Sequence, residues 1–553
     1  MSLSSGLNFV LNKIRIHDDD DGRPINRWTN PDILPVLPKN RTFTTKTYVT
    51  YWISGAVCAS FWSMGSSAIA NGLTAGEAIG AMVVASFVCA VVAFLCGEAG
   101  IRYYLGFPMM SRVTFGMYGS YFVVVLKCFT SFIYCGIQTY WGGLAVHVVL
   151  ASIFPSYHTM KNTLPKSANI TTADLVGTII YMCIFVPILC IKPYKLRVFF
   201  MVSFFAVTTT ILGMFIWAMA TNHGAGNLVA PIEKISKGDT VFYFIQTVCT
   251  ICGSFTGSSM RHSDWSRYAK TPQSIRIGIW VAGPLALIIT AMFGVFVTSA
   301  ARDIYGTVIW QPVSLLLYIQ NDSYTPAVRA GTFFAGAGWL LSQLSVNVSL
   351  NAVSAGMDLT SVIPEILNAR RGALLLAFVG FVVCPWNYVN SATTFVTVLS
   401  AFGLFISPLI GIYISDYWIV RHGKWRVPDL YIGNSSSIYW YTFGFHWRGF
   451  LTWVGLIWLS LPGFVATISG KDFGLVWKRI FQITFFVGLI GGFLLYTMLC
   501  YAFPVPHAGE YEEYNWETDV EVIDSENVDI ESKSGIMSSN KEFIAEKVEG
   551  GTL

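Results

Sequence analysis

The chain has 553 residues, of which 54% are hydrophobic and 12% charged, and its mean hydropathy is +0.55. Soluble domains carry roughly 25% charged residues, so a soluble domain is excluded and a protein embedded in a lipid bilayer is indicated. The net charge of +4 is small and spread over loops, which argues against nucleic acid as a partner.

Residues 1–46 are polar, with an acidic run at Asp18 to Asp21, and read as a cytosolic tail. The first apolar run begins near Tyr48, too late and too long for a cleaved secretory signal. Apolar runs follow at about 47–71, 75–97, 118–150, 172–191, 196–219, 241–260, 275–300, 328–356, 372–389, 392–418, 447–468 and 479–503. Each is near the roughly 20 residues a crossing needs, so an all-α polytopic membrane protein with twelve transmembrane helices is expected, numbered here as spans 1 to 12. Residues 504–553 form an acidic tail, also expected in the cytosol, that cannot bury enough apolar surface to fold alone. Its Lys533, Lys541 and Lys547 are accessible enough to accept ubiquitin from a ligase or its adaptor.

With both termini inside, the cytosolic loops hold Arg102 and Arg112, then Lys192, Lys195 and Arg197. Arg267, Lys270, Arg276, Arg370, Arg371, Arg421, Lys424 and Arg426 fall on the same side, as the positive-inside rule requires. The opposite loops carry the glycan sequons Asn169-Ile170-Thr171 and Asn321-Asp322-Ser323. The 11 cysteines, among them Cys58, Cys89, Cys128 and Cys252, sit mostly singly in apolar runs and show no metal-ligand spacing.

Span 1 contains Ser60 to Ser67, SFWSMGSS, and span 6 contains Ser254 to Ser259, SFTGSS. The two lie five helices apart, and an odd number of helices places the second copy in inverted orientation. Paired interrupted helices in corresponding halves point to a transporter site. The expected architecture is a first repeat at 47–219, an inverted second repeat at 241–418, and spans 11 and 12 at 447–503. In span 6, Gly253, Gly257, Ser258 and Ser259 are expected to dissolve the helix, with Arg261, His262 and Asp264 following before any clear loop. Freed backbone is tolerated at that depth only where it is buried or lines a cavity. The alternative is that the glycines serve close helix packing.

Span 3 places Gln138 in mid-membrane with Tyr134 one turn earlier on the same face. The glutamine amide offers donors and an acceptor that match the amide edge of a planar heterocycle, and the tyrosine could stack on its ring. Gly136, Gly142 and Gly143 leave room beside them. Span 8 carries Ser342, Ser345, Asn347, Ser349, Asn351, Ser354 and Asp358; the polar stripe Asn347, Asn351, Ser354 and Asp358 must face the bundle interior. Interhelical hydrogen bonding is the competing explanation of the stripe. Asp358 could pair with Arg261 or His262, and His262 is the group best placed to titrate near neutral pH. No phosphate loop, HExxH or GxSxG is present, and nothing suggests an enzyme or an ATP-driven pump.

These pieces together resemble the nucleobase–cation symporter-1 family, in particular its fungal uracil, uridine and allantoin permease branch. The matching stretches are Asn30 to Phe43, the Gly-Ser-Ser of span 1 with Asn71-Gly72-Leu73, Ser111 to Phe122, GIQTYWGG of span 3, SDWSRYAK after span 6, NVSLNAVSAGMDLTSVIP of span 8, and Ser415 to Tyr431. The resemblance implies a LeuT-like 5+5 inverted repeat and cation-coupled uptake by alternating access, usually proton-driven in fungal relatives. It implies that Gln138 and Asn351 bond the ring of a small heterocycle held between Tyr134 and Phe255, beside Met64 and Gly65. It places the sodium region of bacterial relatives near Cys58, Phe61, Ser342, Ser345 and Val346, where valine supplies no side-chain oxygen. Coupling and gating are expected from Ser342, Ser345, Asn347, Asp358, Arg261, His262 and Asp264, with H+ as coupling ion ahead of Na+ and no cofactor. The expectation is therefore a plasma-membrane proton symporter for uracil first, with uridine, allantoin, thiamine or nicotinamide riboside as alternatives. A nutrient sensor that binds without transporting is the competing class.

Overall fold

The computed structural model describes residues 26–29, 32–191, 193–228 and 236–513. The acidic run Asp18 to Asp21, Asn30, Lys192, and the tail lysines Lys533, Lys541 and Lys547 lie outside the described residues. Among the described residues every regular element is helical, and the only β pairings are isolated bridges. Ten helices are long and apolar enough to cross a membrane; an eleventh crossing is the pair Thr45–Ala56 and Ala59–Ala70, bent by 49°. The run expected at 372–389 is realised as Ala369–Val382, a helix of 14 residues and short of a crossing by itself. It stops there because Cys384 adopts a left-handed conformation and Pro385 follows.

Spans 2, 4, 6, 8 and 10 share a sequence device that span 12 lacks. Span 2 (Ala75–Tyr103) starts at Thr74, whose hydroxyl accepts from Glu77 N while Glu77 Oε2 accepts from Thr74 N at 2.8 Å. Spans 4 (Thr172–Leu189), 6 (Lys237–Ser259), 8 (Pro326–Val346, continued by Val353–Thr360) and 10 (Ala392–Ile414) start at Thr171, Ser236, Thr325 and Ser391, whose hydroxyls accept a backbone N–H three residues on. Such caps satisfy amides that a membrane interface hydrates poorly.

Both expected interruptions lie elsewhere than the Gly-Ser-Ser motifs. Span 1 breaks at Val57 and Cys58, before Ser60 to Ser67, which is helical throughout. Span 6 runs unbroken through Gly253 and Gly257 to Ser259, steps at Met260 and Arg261, and resumes for one turn at His262–Ser266. The motifs therefore stand on opposite sides of their interruptions. Gly253 serves packing: a methyl group there would come within 2.6 Å of Leu399 O and 2.9 Å of Gly403 N on span 10. Span 8 is continuous, but Asn347–Ala352 is a π-helical segment that interrupts its α-periodicity.

Span 3 (Gly119–Ile153) runs beside spans 4, 8 and 9, and span 10 is buried along most of its length. The glycines of span 3 do not open space around Gln138. Added methyl groups at Gly142 and Gly143 would strike Tyr181 and Thr178 of span 4, and one at Gly136 would strike Gly380 O.

The end of the bundle that holds Arg102, Arg112, Arg267, Arg421 and Arg426 is built from several segments far apart in sequence. The helix Phe107–Phe115 is wholly buried there. Arg112 Nη1 donates to Trp28 O at 2.9 Å and Leu430 O at 2.7 Å, and Arg267 Nη1 donates to Asp32 O at 2.8 Å. The beginning of the C-terminal tail is seated at the same end: Glu512 pairs with Trp425 and Val427 through the backbone, and Arg426 Nη2 meets Glu512 at 2.9 Å.

Candidate functional site

A pocket lies between spans 1, 3, 6, 8 and 10. Gln138, completely buried on span 3, lines it. Gln138 Nε2 donates to Ser60 Oγ at 2.6 Å, while its Oε1 has no partner among the described residues. A buried amide oxygen without a donor is costly unless a ligand supplies one, as a ring N–H does. Tyr134 lines the pocket one turn away, its ring 6.2 Å from that of Phe402 on span 10. Across from them Phe255 is stacked at 5.5 Å on Trp52 and meets Phe61 edge-on at 5.6 Å. Aromatic faces held by their neighbours suit a planar ring.

Asn351 reaches the pocket from the π-helical segment of span 8. Its Nδ2 donates to Asn347 Oδ1 at 3.0 Å, and Asn347 Nδ2 donates to Cys135 O and Thr139 Oγ1 on span 3. Asn347 thereby orients Asn351 and itself stays off the pocket. The stripe thus serves both interhelical bonding and the pocket.

Trp310, in the loop after span 7 (Gly283–Tyr305), stacks on Phe395 at 5.1 Å, and Trp141 packs on Phe395 at 5.6 Å. Trp141 is less than one turn beyond Gln138, so this aromatic cluster stands next to the pocket without lining it; Ser66 Oγ donates to Trp310 O and ties it to span 1. One end of the pocket is cationic. Arg261 Nε donates to Gly257 O at 2.8 Å, and Arg261 Nη1 pairs with Asp358 Oδ2 at 2.6 Å. Arg261 borders the pocket while Asp358 borders a second, small cavity with Asp264, Arg267 and Asp32. The ion pair stands between the two cavities and shuts this end. Lys127 of span 3 also lines the cationic end.

The structure brings Tyr134, Gln138, Phe255, Asn351 and Arg261 to one pocket and joins Asp358 to Arg261. Other expected site residues lie elsewhere. Gly65 packs on span 7, where a methyl group would meet Ala291 O at 2.8 Å, and Met64 is buried with its sulfur accepting from Ser254 Oγ. The His262 ring is wedged between Trp52, at 5.4 Å, and Gly97 of span 2, and neither ring nitrogen has a partner among the described residues. It packs as an aromatic. Asp264 Oδ1 accepts from Phe107 N at 2.7 Å. Ser342 is buried with an unpartnered hydroxyl, and Ser345 O accepts from Ser349 Oγ. Among the described residues no group of three or more His, Cys, Asp or Glu side chains is arranged to hold a metal ion. The sequence reading passed over Lys127 and the Trp310 cluster. A lone lysine in an apolar run was the available signal for the first; the cluster joins residues far apart in sequence and had none.

Residues 35–488 match the family model described as a permease for cytosine/purines, uracil, thiamine and allantoin. The chain is 31% identical to the transporter aclS of Aspergillus oryzae, with 88% of each chain covered. It is 30% identical to nicotinamide riboside transporter 1 of Saccharomyces cerevisiae, over 91% of this chain and 84% of that one. Its fold is similar to that of Mhp1 in an inward-facing conformation, with a TM-score of 0.67 at 19% identity over 88% of this chain and 97% of Mhp1. With a family model covering most of the chain and full-length relatives that are transporters, the chain belongs to the nucleobase–cation symporter-1 family, a multi-pass membrane transporter and not an enzyme.

Proposed function

We propose that the protein carries out proton-coupled uptake of a small planar nitrogen heterocycle, uracil first, by alternating access. The observation that carries this reading is Gln138: a buried amide whose oxygen has no partner among the described residues, in a pocket also lined by Tyr134 and Phe255. Asn351, oriented by Asn347, supplies the second amide. Uridine, allantoin, thiamine and nicotinamide riboside are the alternatives within the class. In this reading Ala369–Val382 is the ninth of twelve spans, spans 1–5 and 6–10 are inverted repeats, and the basic end faces the cytosol with both termini. The membrane is the plasma membrane, and ubiquitin on the C-terminal tail would withdraw the protein from it. Glycans would sit on the opposite end at Asn169, whose Nδ2 now donates to Asn387, and at Asn321.

Arg261 and Asp358 are the inner gate in this scheme, and protonation of Asp358 or Asp264 would loosen it. Proton coupling is favoured over sodium because Val346 brings no oxygen to the pocket. Labelled uptake in cells lacking their own permeases tests the proposal. Accumulation above the outside concentration that collapses with a protonophore is expected. Binding without accumulation would replace transport by sensing, and a strict sodium requirement would overturn proton coupling.

A further inference from the structure

Among the described residues Lys127 forms no ion pair. It is 3% exposed in the apolar part of span 3, and its ammonium donates to one neutral group, Thr130 Oγ1 at 3.3 Å. A methyl group at Gly257 would lie 3.4 Å from Nζ, so the ammonium fronts the backbone of span 6. The other cation bordering the pocket, Arg261, already holds Asp358, and no Asp or Glu lines the pocket. Asp264 faces the second cavity and accepts from Phe107 N. Around this end, Lys127, Arg261 and Arg267 stand with three carboxylates, Asp32, Asp264 and Asp358, which border the second cavity rather than the pocket. A buried ammonium without a partner is strongly destabilising, and one that borders a ligand pocket is offset when the ligand brings the anion.

We propose that the substrate is a planar heterocycle carrying an acidic group, with its ring at Gln138 and Tyr134 and its carboxylate, or an equivalent anion, on Lys127. The inference rests on the heterocycle pocket proposed above and narrows its substrate class. Distance supports it. Lys127 stands seven residues before Tyr134, two turns or about 10 Å along the same helix face. That is longer than one ring, so an acidic substituent on the ring and the lysine side chain together bridge the distance between Tyr134 and Lys127. A permanently cationic ring meets repulsion at the same end.

Matched ligand pairs test this on the full-length purified protein at neutral pH: uracil with orotate, and hydantoin with hydantoin-5-acetate. Competition binding should show each acid held on the order of tenfold more tightly than its neutral partner, the effect of a charge-assisted bond. The ratio should collapse in Lys127→Met and persist in Lys127→Arg, with monodispersity in detergent reporting folding of each. Equal or tighter binding of the neutral partners to the unaltered protein overturns the proposal, whatever the variants do. An unchanged ratio in Lys127→Met overturns it too, and a flattened pH profile of uptake in that variant would make the lysine a proton carrier instead. Failure of all four ligands to bind the unaltered protein removes the heterocycle pocket itself, a result distinct from neutral ligands binding and acids failing.

Discussion

Gln138 is useful because it is only partly satisfied by the described residues. Gln138 spends its donor on Ser60 and keeps its acceptor. Gln138→Ala removes the group meant for a ring N–H, and the loss of one buried hydrogen bond is worth about 1–3 kcal/mol. The apparent KM for uptake should rise from a few-fold to about a hundredfold with surface abundance unchanged; an unchanged KM would remove Gln138 from the site. Asp358→Asn leaves Arg261 without its carboxylate at a site where both groups are buried. Uptake should fall and its pH profile should flatten, and a profile that keeps its shape would reduce Asp358 to a structural role. His262→Gln is the contrast. The ring packs on Trp52 and Gly97 with no polar partner, so the substitution should lower thermal stability through lost packing while leaving the pH profile in place.

At the level of elements, two glycines of one helix do different work. Gly253 lets span 6 lie against the backbone of span 10, and the atoms a side chain would strike cannot move away. Gly253→Val should therefore cost roughly 1–3 kcal/mol or more of stability, read as a lower melting temperature and loss of protein from the membrane. Gly257 faces the movable end of Lys127, and Gly257→Ala should fold normally. The sequence reading could see that glycine and serine weaken a helix. It could not see that span 10 holds Gly253 in helical register, nor that the true break of span 1 falls at Val57 and Cys58. The stripe on span 8 was legible because buried polar groups in a membrane must face protein. The π-helical segment that aims Asn351 was not, since it follows from the fit of span 8 against span 3.

For the whole molecule, the basic end is a cap assembled from the N-terminal segment, the loops after spans 2, 6 and 10, and residues 504–513. Truncation after Glu513 should leave thermal stability near that of the full chain. Truncation after Val505 removes the Glu512 pairing with Trp425, Val427 and Arg426 and should lower the melting temperature; equal stability would show that the seated segment contributes nothing. His507 and Arg426 hold the Glu510 carboxyl below the usual carboxylate range. A depressed carboxyl stabilises the folded arrangement above its unfolded pKa and loses that contribution as pH falls through the lower value, so acid should loosen this contact.

The sequence by itself determined that the chain is a helical membrane protein, where its apolar runs lie, and which polar side chains must turn inward, because hydrocarbon penalises exposed polar groups wherever they stand. It also carried the pairing of Arg261 with Asp358 as one of two possibilities. Only the tertiary structure decided that Asp358 takes Arg261 while His262 packs against Trp52, that the span 3 glycines seat neighbouring helices, and that Lys127 borders the pocket without a carboxylate. Those outcomes depend on which helix faces lie against each other, and the contacts that set them join residues up to hundreds of positions apart.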